Sequence, residues 1–345
     1  MSSAHGHRAA VLPAAGAELV IERRELAPPG PGQVMLAVRA CGVCYAEVNL
    51  MRGAYGFARY PTVPGHEVVG EVIALGPDVE WPALGARVGV PFLHSSCGHC
   101  DRCVRGDEIL CAAKTVTGIS ADGGYQQYML ARAAFVAPLP DAIDDLDAAP
   151  LMCAGVTVFN GLRRSGMEYG ARVAVIGTGG LGHLAVRFAR AMGARVCVIS
   201  RTAAGEDAAR AAGAERYLAA EDHPDLAGAL REWDGGADVI LNTAPSSAPA
   251  SATLEGLAPD GALVILGYGP EPVQAAGQRM VLGRARILGS PSGSRHDLRD
   301  TLAFAAANGI VPEVTAIALE EVPGTLARMA EGRLHGRAVI DFGAA

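Results

Sequence analysis

Four cysteines in one short segment constrain the fold of this chain more than any other feature of its sequence. They are spaced C-x2-C-x2-C-x7-C within SSCGHCDRCVRGDEILC, at Cys97, Cys100, Cys103 and Cys111. Four thiolates in one loop complete a tetrahedral site with no open position, which is how structural zinc is held. A redox pair or a set of disulfides suits three evenly spaced cysteines plus a fourth less well. We therefore predict a structural zinc lobe at about residues 95–113, with His99 facing solvent rather than binding the ion.

Length and charge exclude several classes of protein. A chain of 345 residues exceeds one ordinary core, so we expect two domains. Apolar residues make up 50% of the chain and charged residues 19%, which favours a globular protein over a disordered one. A net charge of -7 argues against nucleic acid as a partner. Without a secretory leader or an apolar run near the roughly 20 residues that span a bilayer, we expect a cytoplasmic protein with no membrane partner.

The sequence pattern changes near Thr157. Before it, short β-like runs at 33–40, 66–74 and 86–90 are broken by Gly and Pro, which predicts a barrel or a sandwich. After it, apolar runs alternate with alanine-rich segments, which predicts a parallel sheet with helices on both faces. The later predicted elements are strands at 172–176, 195–200, 238–242, 262–267 and 337–342, and helices at 180–192, 205–212 and 296–308.

A glycine-rich turn joins the first strand of the second part to its helix. The run follows the strand RVAVI directly and comprises Gly177, Thr178, Gly179, Gly180, Leu181 and Gly182. A strand before and a helix after are the context that a dinucleotide-binding turn requires. The glycines allow the backbone to approach a pyrophosphate, which sits at the positive end of the helix. The alternative is a tight strand–helix turn without a ligand.

The end of the next strand bears on which nicotinamide cofactor is bound. An acidic residue at this point would bind the ribose hydroxyls of NAD. The strand ends instead in Ser200, followed by Arg201 and Thr202. An arginine between two hydroxyls suits a 2′-phosphate, which a carboxylate would repel. We therefore predict NADP(H), with a plain surface role for Arg201 as the alternative.

The remaining metal-ligand candidates are dispersed, and their order resembles a known family. Cys44 lies in ACGVCYAEVN, His66 and Glu67 lie in VPGHEVVG, and Cys153 lies in PLMCAGVTVF. With the four-cysteine lobe and the glycine-rich turn, this arrangement resembles the zinc-containing medium-chain dehydrogenase/reductase family over nearly the whole chain. That family includes alcohol and cinnamyl alcohol dehydrogenases.

The resemblance implies a catalytic zinc held by Cys44, His66 and Cys153, with Glu67 as a carboxylate able to approach the metal. Two thiolates and an imidazole leave one position open for water or a substrate oxygen, and the ion then polarises a carbonyl. With the lobe, this predicts two Zn²⁺ per chain. The resemblance also implies that the cofactor is lined by Asn242, Thr243, Leu266, Gly267, Tyr268 and Ser290, with Arg337 reaching its phosphates.

The fold implied is α/β plus β, with two domains. A GroES-like β-barrel catalytic domain would span residues 1–154 and 291–345, and a Rossmann domain would span 155–290. We expect the active site in the cleft between them, with Phe92, Tyr55 and Phe159 as pocket walls or, equally, as core residues.

The segment after Cys44 departs from the family. Alcohol dehydrogenases of this type usually continue with His-Thr-Asp or a close variant, often with a second histidine three residues beyond the hydroxyl, and these side chains pass the alcohol proton outward. Here Ala46 has no hydroxyl, and Asn49 cannot accept a proton at neutral pH. Tyr45 and Glu47 are chemically capable of carrying a proton by another geometry.

Three functions remain open after this loss. Reduction of an aldehyde or ketone ranks first, because the ligand set for an electrophile-polarising zinc is intact. Hydride addition to an iminium needs no proton at the heteroatom, and conjugate reduction of an activated C=C needs it at carbon, so both fit a missing relay. The third is a decayed relative that binds zinc and NADPH without turnover. We expect a small-molecule substrate and a homodimer or homotetramer.

Overall fold

The computed structural model describes residues 6–334 and 336–343, which form two compact units. The first unit is Met1–Val156 with Gly293–Ala345, and the second is Thr157–Ser292. The predicted boundaries, after residues 154 and 290, lie two residues before these. Within the described residues no helix is long and apolar enough to cross a membrane.

Seventeen strands are present in the described chain. In chain order they are β1 (His7–Val11), β2 (Val20–Arg24), β3 (Gln33–Gly42), β4 (Val68–Leu75), β5 (Arg87–Val90), β6 (Leu93–Ser95), β7 (Thr115–Val116), β8 (Tyr128–Arg132), β9 (Ala137–Pro138), β10 (Arg172–Ile176), β11 (Arg195–Ser200), β12 (Arg216–Ala219), β13 (Ala237–Asn242), β14 (Leu257–Ile265), β15 (Arg286–Gly289), β16 (Val314–Ile317) and β17 (Arg337–Asp341).

Eleven α-helices connect or cover these strands in the described chain. They are α1 (Tyr45–Met51), α2 (Asp101–Val104), α3 (Asp145–Pro150), α4 (Val156–Ser165), α5 (Gly182–Ala191), α6 (Glu206–Ala211), α7 (Leu226–Arg231), α8 (Ala248–Thr253), α9 (Gly277–Leu282), α10 (Arg295–Asn308) and α11 (Val322–Ala330). Short 3₁₀ turns cover Glu108–Leu110, Ala133–Phe135, Ala203–Gly205, Leu254–Gly256 and Leu319–Glu321, and a π-helical turn covers Leu151–Gly155.

The first unit is built on a seven-stranded sheet with the order β16-β17-β3-β4-β5-β9, in which β8 also pairs with β3. The sequence of strand β3 alternates in the way a half-buried strand requires. Val34, Leu36 and Val38 are buried, and the residues between them are more exposed. That period of two places one face of the strand in the core. Two further two-stranded sheets, β1-β2 and β6-β7, complete the β-rich part.

The second unit is a six-stranded sheet with the order β12-β11-β10-β13-β14-β15, and every neighbouring pair is parallel. This is the strand order of a dinucleotide-binding fold. The central strand β10 is buried over Val173–Ile176, as expected for a strand covered on both faces. The predicted parallel sheet is therefore confirmed.

Most predicted elements lie within two residues of the observed ones, and two differences bear on the site. Strand β4 begins at Val68, so His66 and Glu67 precede it in an extended segment after Gly65, whose φ is +97°. Strand β14 begins at Leu257, five residues before the predicted start at 262. Pro259, Asp260 and Gly261 interrupt the apolar run there, so the sequence pattern hides its first part.

Candidate metal and cofactor sites

The four cysteines of the predicted lobe converge in the structure. Their sulfur atoms all lie within 4.8 Å of one another, and none of the four forms a disulfide. Gly98 and Gly106 have φ values of +76° and +84°, and these left-handed conformations let the loop turn so that the four sulfur atoms converge. Backbone N–H groups of His99 and Cys100 lower the pKa of Cys97 to about 6. A thiol that ionises near neutral pH suits a metal ligand.

His99 is exposed, and its Nδ1 lies 2.8 Å from the carbonyl oxygen of Cys97. It is absent from the group of converging ligand atoms. Its position agrees with the prediction that it faces solvent.

A buried carboxylate anchors the lobe to helix α10. Glu108, 5% exposed, accepts from Nε of Arg295 at 3.0 Å. The same guanidinium donates to the Ala134 carbonyl at 2.9 Å and lies 4.5 Å from the ring centroid of Phe135. Arginine is well suited to this combination of fork-like hydrogen bonding and stacking.

The dispersed ligand candidates form a second cluster within the first unit. The donor atoms of Cys44, His66, Glu67 and Cys153 lie within 4.8 Å of one another. His66 and Glu67 are fully buried, and Cys44 is 5% exposed. The Cys153 thiol and then His66 hold the pKa of Cys44 well below its usual range. Nε2 of His66 has no hydrogen bond of ordinary geometry among the described residues. Because a buried polar atom without a partner is costly, this nitrogen fits a metal ligand.

Local structure explains how two of these cysteines are oriented. Cys44 precedes the first turn of α1 in an extended conformation, with φ −121° and ψ 157°. Cys153 lies in the π-helical turn Leu151–Gly155, between α3 and α4. Such turns widen the helix, re-aim side chains and often occur at functional sites. Pro150, which cannot donate a backbone hydrogen bond, ends α3 just before this turn.

Glu47 is a residue whose position the sequence did not reveal. It is 2% exposed, and its Oε2 accepts from the backbone N–H of Cys44 at 2.8 Å. Its Oε1 lies 2.5 Å from Nδ1 of His66, although the alignment is not that of an ordinary hydrogen bond. Glu47 is therefore placed to orient two ligand-bearing residues. A carboxylate three residues after Cys44 was the available signal, because that spacing is one helical turn.

Glu67 pairs with Arg337 across 270 residues of sequence. Nη2 of Arg337 donates to Oε2 of Glu67, and both side chains are buried. Burial raises the pKa of Glu67 to about 8 against the opposing pull of Arg337. A Cβ at Gly42 would lie 2.0 Å from Oε2 of Glu67, so only glycine allows this approach. Nε of Arg337 has no hydrogen-bond partner among the described residues.

Tyr45 and Glu47, the two candidate proton carriers after Cys44, both have side-chain partners. The Tyr45 hydroxyl accepts a hydrogen bond from Nη1 of Arg52 at 3.1 Å. Ala46 and Asn49 are both partly buried on α1. The structure thus couples Tyr45 to Arg52 and Glu47 to His66.

The glycine-rich turn has the geometry of a close backbone approach. Gly177 has φ +100°, and a Cβ at Gly182 would lie 2.0 Å from the Gly177 carbonyl oxygen. A Cβ at Gly179 would meet nothing within 4 Å, so the loop faces open space there. Helix α5 follows directly, as a phosphate-binding turn requires.

The sheet order brings the predicted cofactor residues to one edge. They follow or end neighbouring parallel strands, whose carboxyl ends lie on the same side. They are Gly177–Gly182 after β10, Ser200–Thr202 at the end of β11, Asn242 and Thr243 at the end of β13, Leu266–Tyr268 after β14, and Ser290 after β15.

Hydrogen bonds fix this edge of the sheet. Thr243 Oγ1 donates to the Ile176 carbonyl at 2.7 Å, and Asn242 Nδ2 donates to the Gly267 carbonyl at 2.7 Å. The Ser290 backbone N–H donates to the Ile265 carbonyl at 3.2 Å. Arg201 is exposed and forms no ion pair among the described residues.

The three predicted pocket residues have different surroundings. The Phe92 ring lies 5.3 Å from the His66 ring, edge to face, which places it beside the second cluster. Tyr55 lies 5.6 Å from Phe57. Phe159, 6% exposed, packs 5.5 Å from Phe188 inside the second unit, so it has a core position there.

The sequence of this chain is similar to those of known proteins. Residues 30–141 match the family described as the alcohol dehydrogenase GroES-like domain, and residues 180–307 match the zinc-binding dehydrogenase family. An alcohol dehydrogenase of Geobacillus stearothermophilus is 37% identical over 310 residues, 90% of this chain and 92% of that protein. Vomilenine reductase of Rauvolfia serpentina is 35% identical over 91% of this chain and 88% of its own length.

A solved structure extends the match to three dimensions. Cinnamyl alcohol dehydrogenase of Sorghum bicolor has a TM-score of 0.89 at 30% identity, covering 98% of this chain and 97% of that one. The predicted combination of a GroES-like domain with a Rossmann domain is confirmed.

Proposed function

The chain belongs to the zinc-containing medium-chain dehydrogenase/reductase family, and from that membership we propose that it reduces aldehydes or ketones with NADPH. It is a zinc-dependent oxidoreductase of the alcohol dehydrogenase type. The observation that carries the proposal is the convergence of Cys44, His66 and Cys153 with an unpaired His66 Nε2.

We assign the catalytic zinc to Cys44, His66 and Cys153 and a structural zinc to the four-cysteine lobe. The bound catalytic ion supplies a Lewis acid for a substrate carbonyl oxygen. Glu47 orients His66 and the start of α1 at Cys44, because its two oxygens contact both. Such outer contacts fix the ring orientation of a ligating histidine and raise its basicity. Glu67 contributes a carboxylate whose position Arg337 fixes.

We assign cofactor binding to the glycine-rich turn and the ends of the neighbouring strands. The open space at Gly179 is where a pyrophosphate can approach the backbone. The absence of a carboxylate at Ser200, Arg201 and Thr202 supports NADP(H) over NAD(H). Exposure and the lack of an ion pair among the described residues leave the Arg201 guanidinium available to a 2′-phosphate.

A second candidate is reduction of an iminium or an activated C=C. It is favoured by Ala46 and Asn49, which supply neither a hydroxyl nor a base, and by the engagement of Glu47 with His66. Neither reaction needs a proton delivered to the heteroatom from this segment. That one relative at 35% identity is named a reductase is consistent with this candidate.

Single-turnover oxidation of bound NADPH distinguishes these functions. The purified enzyme is mixed with matched aldehydes, cyclic imines and enones, and the decay of NADPH absorbance is followed. We expect the fastest decay with aldehydes. Faster decay with imines or enones selects the second candidate, and no decay with any class indicates a decayed relative that only binds zinc and NADPH.

A double variant tests the missing relay. Ala46→Thr with Asn49→His restores a hydroxyl and a base at the relay positions. Alcohol oxidation should rise by up to the hundredfold or more that general base catalysis typically contributes. Val48→Ile, on the same helix and buried in the core, serves as the control. If the unmodified enzyme already oxidises benzyl alcohol as fast as the double variant, Ala46 and Asn49 do not limit alcohol oxidation.

A further inference from the structure

We propose that Arg52 binds an anionic group of the substrate, so that the enzyme prefers substrates carrying a carboxylate or phosphate remote from the reacting carbon. This inference rests on the proposed function, because it concerns the substrate of the same reaction. Three features of the loop that follows α1 carry it: arginines without ion-pair partners among the described residues, a hydrogen bond from Arg52 to the residue after Cys44, and the exposed ring of Phe57.

The loop carries two arginines that have no ion-pair partner among the described residues. Between Glu47 and Glu67 the chain has no acidic residue, whereas Arg52 and Arg59 both lie there. Both flanking carboxylates are buried and engaged, with His66 and Arg337 respectively.

The acidic group on the neighbouring segment is also engaged. The neighbouring segment contacts the loop where the Arg59 backbone N–H donates to the Ile119 carbonyl. This segment carries Asp122, whose carboxylate lies 3.2 Å from the Arg24 guanidinium. Within residues 6–334 and 336–343, neither Arg52 nor Arg59 forms an ion pair. Exposed guanidinium groups without a carboxylate are available for planar, bidentate recognition of an anion.

A hydrogen bond links one of these charges to the residue that follows Cys44. Arg52 ends α1, a helix of seven residues that rises about 10 Å from Cys44. Its Nη1 nevertheless donates to the Tyr45 hydroxyl at 3.1 Å, and its Cζ lies 5.9 Å from the Tyr45 ring centroid. Because Tyr45 directly follows Cys44, this contact ties the Arg52 guanidinium to the residue next to a metal ligand.

Aromatic rings on the same loop suit the apolar part of such a substrate. Tyr55 and Phe57 lie 5.6 Å apart with an interplanar angle of 45°. Phe57 is 53% exposed, so its ring is accessible to a ligand. Exposed arginines and an exposed aromatic ring on one loop match an amphipathic anion, such as an aryl carboxylate or aryl phosphate, better than a small neutral alcohol.

Binding calorimetry on the zinc-loaded enzyme with saturating NADP⁺ tests the proposal without requiring turnover. The probes are 4-formylbenzoate, its neutral methyl ester, and 4-formylphenyl phosphate. We expect 4-formylbenzoate to bind at least about tenfold more tightly than the ester, and the phosphate probe shows which anion is preferred. Arg52→Gln should remove the discrimination by weakening the binding of 4-formylbenzoate about tenfold, to the affinity of the ester. Arg23→Gln, at an exposed arginine of the same unit, should keep it.

Two results overturn the proposal, and both are separable from failure of the proposed function. Equal binding of all three probes by the unmodified enzyme shows that no anion is recognised. If Arg52→Gln instead weakens NADPH binding and leaves the probe ratio intact, the guanidinium serves the cofactor phosphates. If the enzyme transfers no hydride but still binds 4-formylbenzoate more tightly than the ester, the proposed function is rejected and the anion site is supported.

Discussion

At the scale of single residues, the side chains after Cys44 decide which reactions the second cluster supports. Glu47 contacts both His66 and the Cys44 backbone, and Ala46 provides no hydroxyl. The site therefore keeps the means to orient its ligands and lacks the usual means to move an alcohol proton. The ligand set is the basis for proposing carbonyl reduction, and Ala46 is the reason that reduction of an iminium or an activated C=C is kept as the second candidate.

Alanine substitutions at two glycines of the nucleotide turn should affect different properties, the stability of the protein at Gly182 and NADPH binding at Gly179. At Gly182 a Cβ would lie 2.0 Å from the Gly177 carbonyl, so Gly182→Ala must displace backbone and lower stability by about 1–3 kcal/mol. At Gly179 a Cβ meets nothing within 4 Å. Gly179→Ala should therefore change stability by less than about 0.5 kcal/mol and yet weaken NADPH binding.

Denaturant unfolding and a fluorescence titration with NADPH measure the two effects. Unimpaired NADPH binding by Gly179→Ala would show that the cofactor does not approach the turn at that point. Loss of stability in that variant would show that the open space is needed by the protein itself.

Arg201 should set the cofactor preference. A charge-assisted hydrogen bond contributes about 1.5–3 kcal/mol, so NADPH should bind at least about tenfold more tightly than NADH. Ser200→Asp combined with Arg201→Gly should reverse the preference. Arg210→Gln, at an exposed arginine of the same unit that pairs with Glu206, should keep it. Equal dissociation constants for both cofactors in the unmodified enzyme would contradict this assignment.

At the scale of elements, the lobe and the π-helical turn have different tasks. The lobe is a loop with little regular structure, comprising the four-residue α2 and a 3₁₀ turn, and it is anchored through Glu108 and Arg295. The turn Leu151–Gly155 is packed in the interior and orients Cys153. An ion bound in the lobe should therefore stabilise the folded protein, whereas an ion bound by Cys153 should be required for hydride transfer.

Two serine substitutions test this division. Cys103→Ser should lower the melting temperature and the soluble yield, because a structural zinc site contributes directly to folding free energy. Cys153→Ser should leave the melting temperature nearly unchanged and abolish hydride transfer. Calorimetric melting of both variants beside the unmodified enzyme gives the comparison. Similar melting temperatures for the two variants would contradict the division.

Local motifs were predictable from the sequence because their chemistry lies within one short segment. The spacing of Cys97–Cys111 and the run Gly177–Gly182 are of this kind, and the structure places both as expected. Contacts between distant segments were not predictable. Glu67 and Arg337 are 270 residues apart, and their pairing depends on how β17 packs beside β3. The π-helical turn was also missed, because its residues have the same apolar pattern as an ordinary helix.

At the scale of the whole molecule, one edge of the six-stranded sheet is available for association. In the described part of the chain, strand β15 has a neighbour on one side only, and Ile287 is 37% exposed. Beside it in sequence, α9 has no buried residue, and Val281 and Leu282 are 73% and 76% exposed. Unpaired edge strands and exposed apolar patches commonly mark interfaces.

We therefore expect a homodimer or homotetramer that uses this surface. Val281→Asp with Leu282→Asp should shift the enzyme to a smaller species in sedimentation velocity. Val104→Asp, at a valine of the lobe that is also 73% exposed, is the matched control and should not. An unchanged sedimentation coefficient in the double variant would place the interface elsewhere.

The most direct test of the account is the zinc content of the purified chain, measured by plasma mass spectrometry together with hydride transfer. Two zinc ions per chain are predicted for the unmodified enzyme. Cys153→Ser should retain one ion, held by Cys97, Cys100, Cys103 and Cys111, and should not oxidise NADPH with any substrate. One ion or none in the unmodified enzyme, or hydride transfer that persists in Cys153→Ser, would contradict the assignment of a catalytic zinc to Cys44, His66 and Cys153.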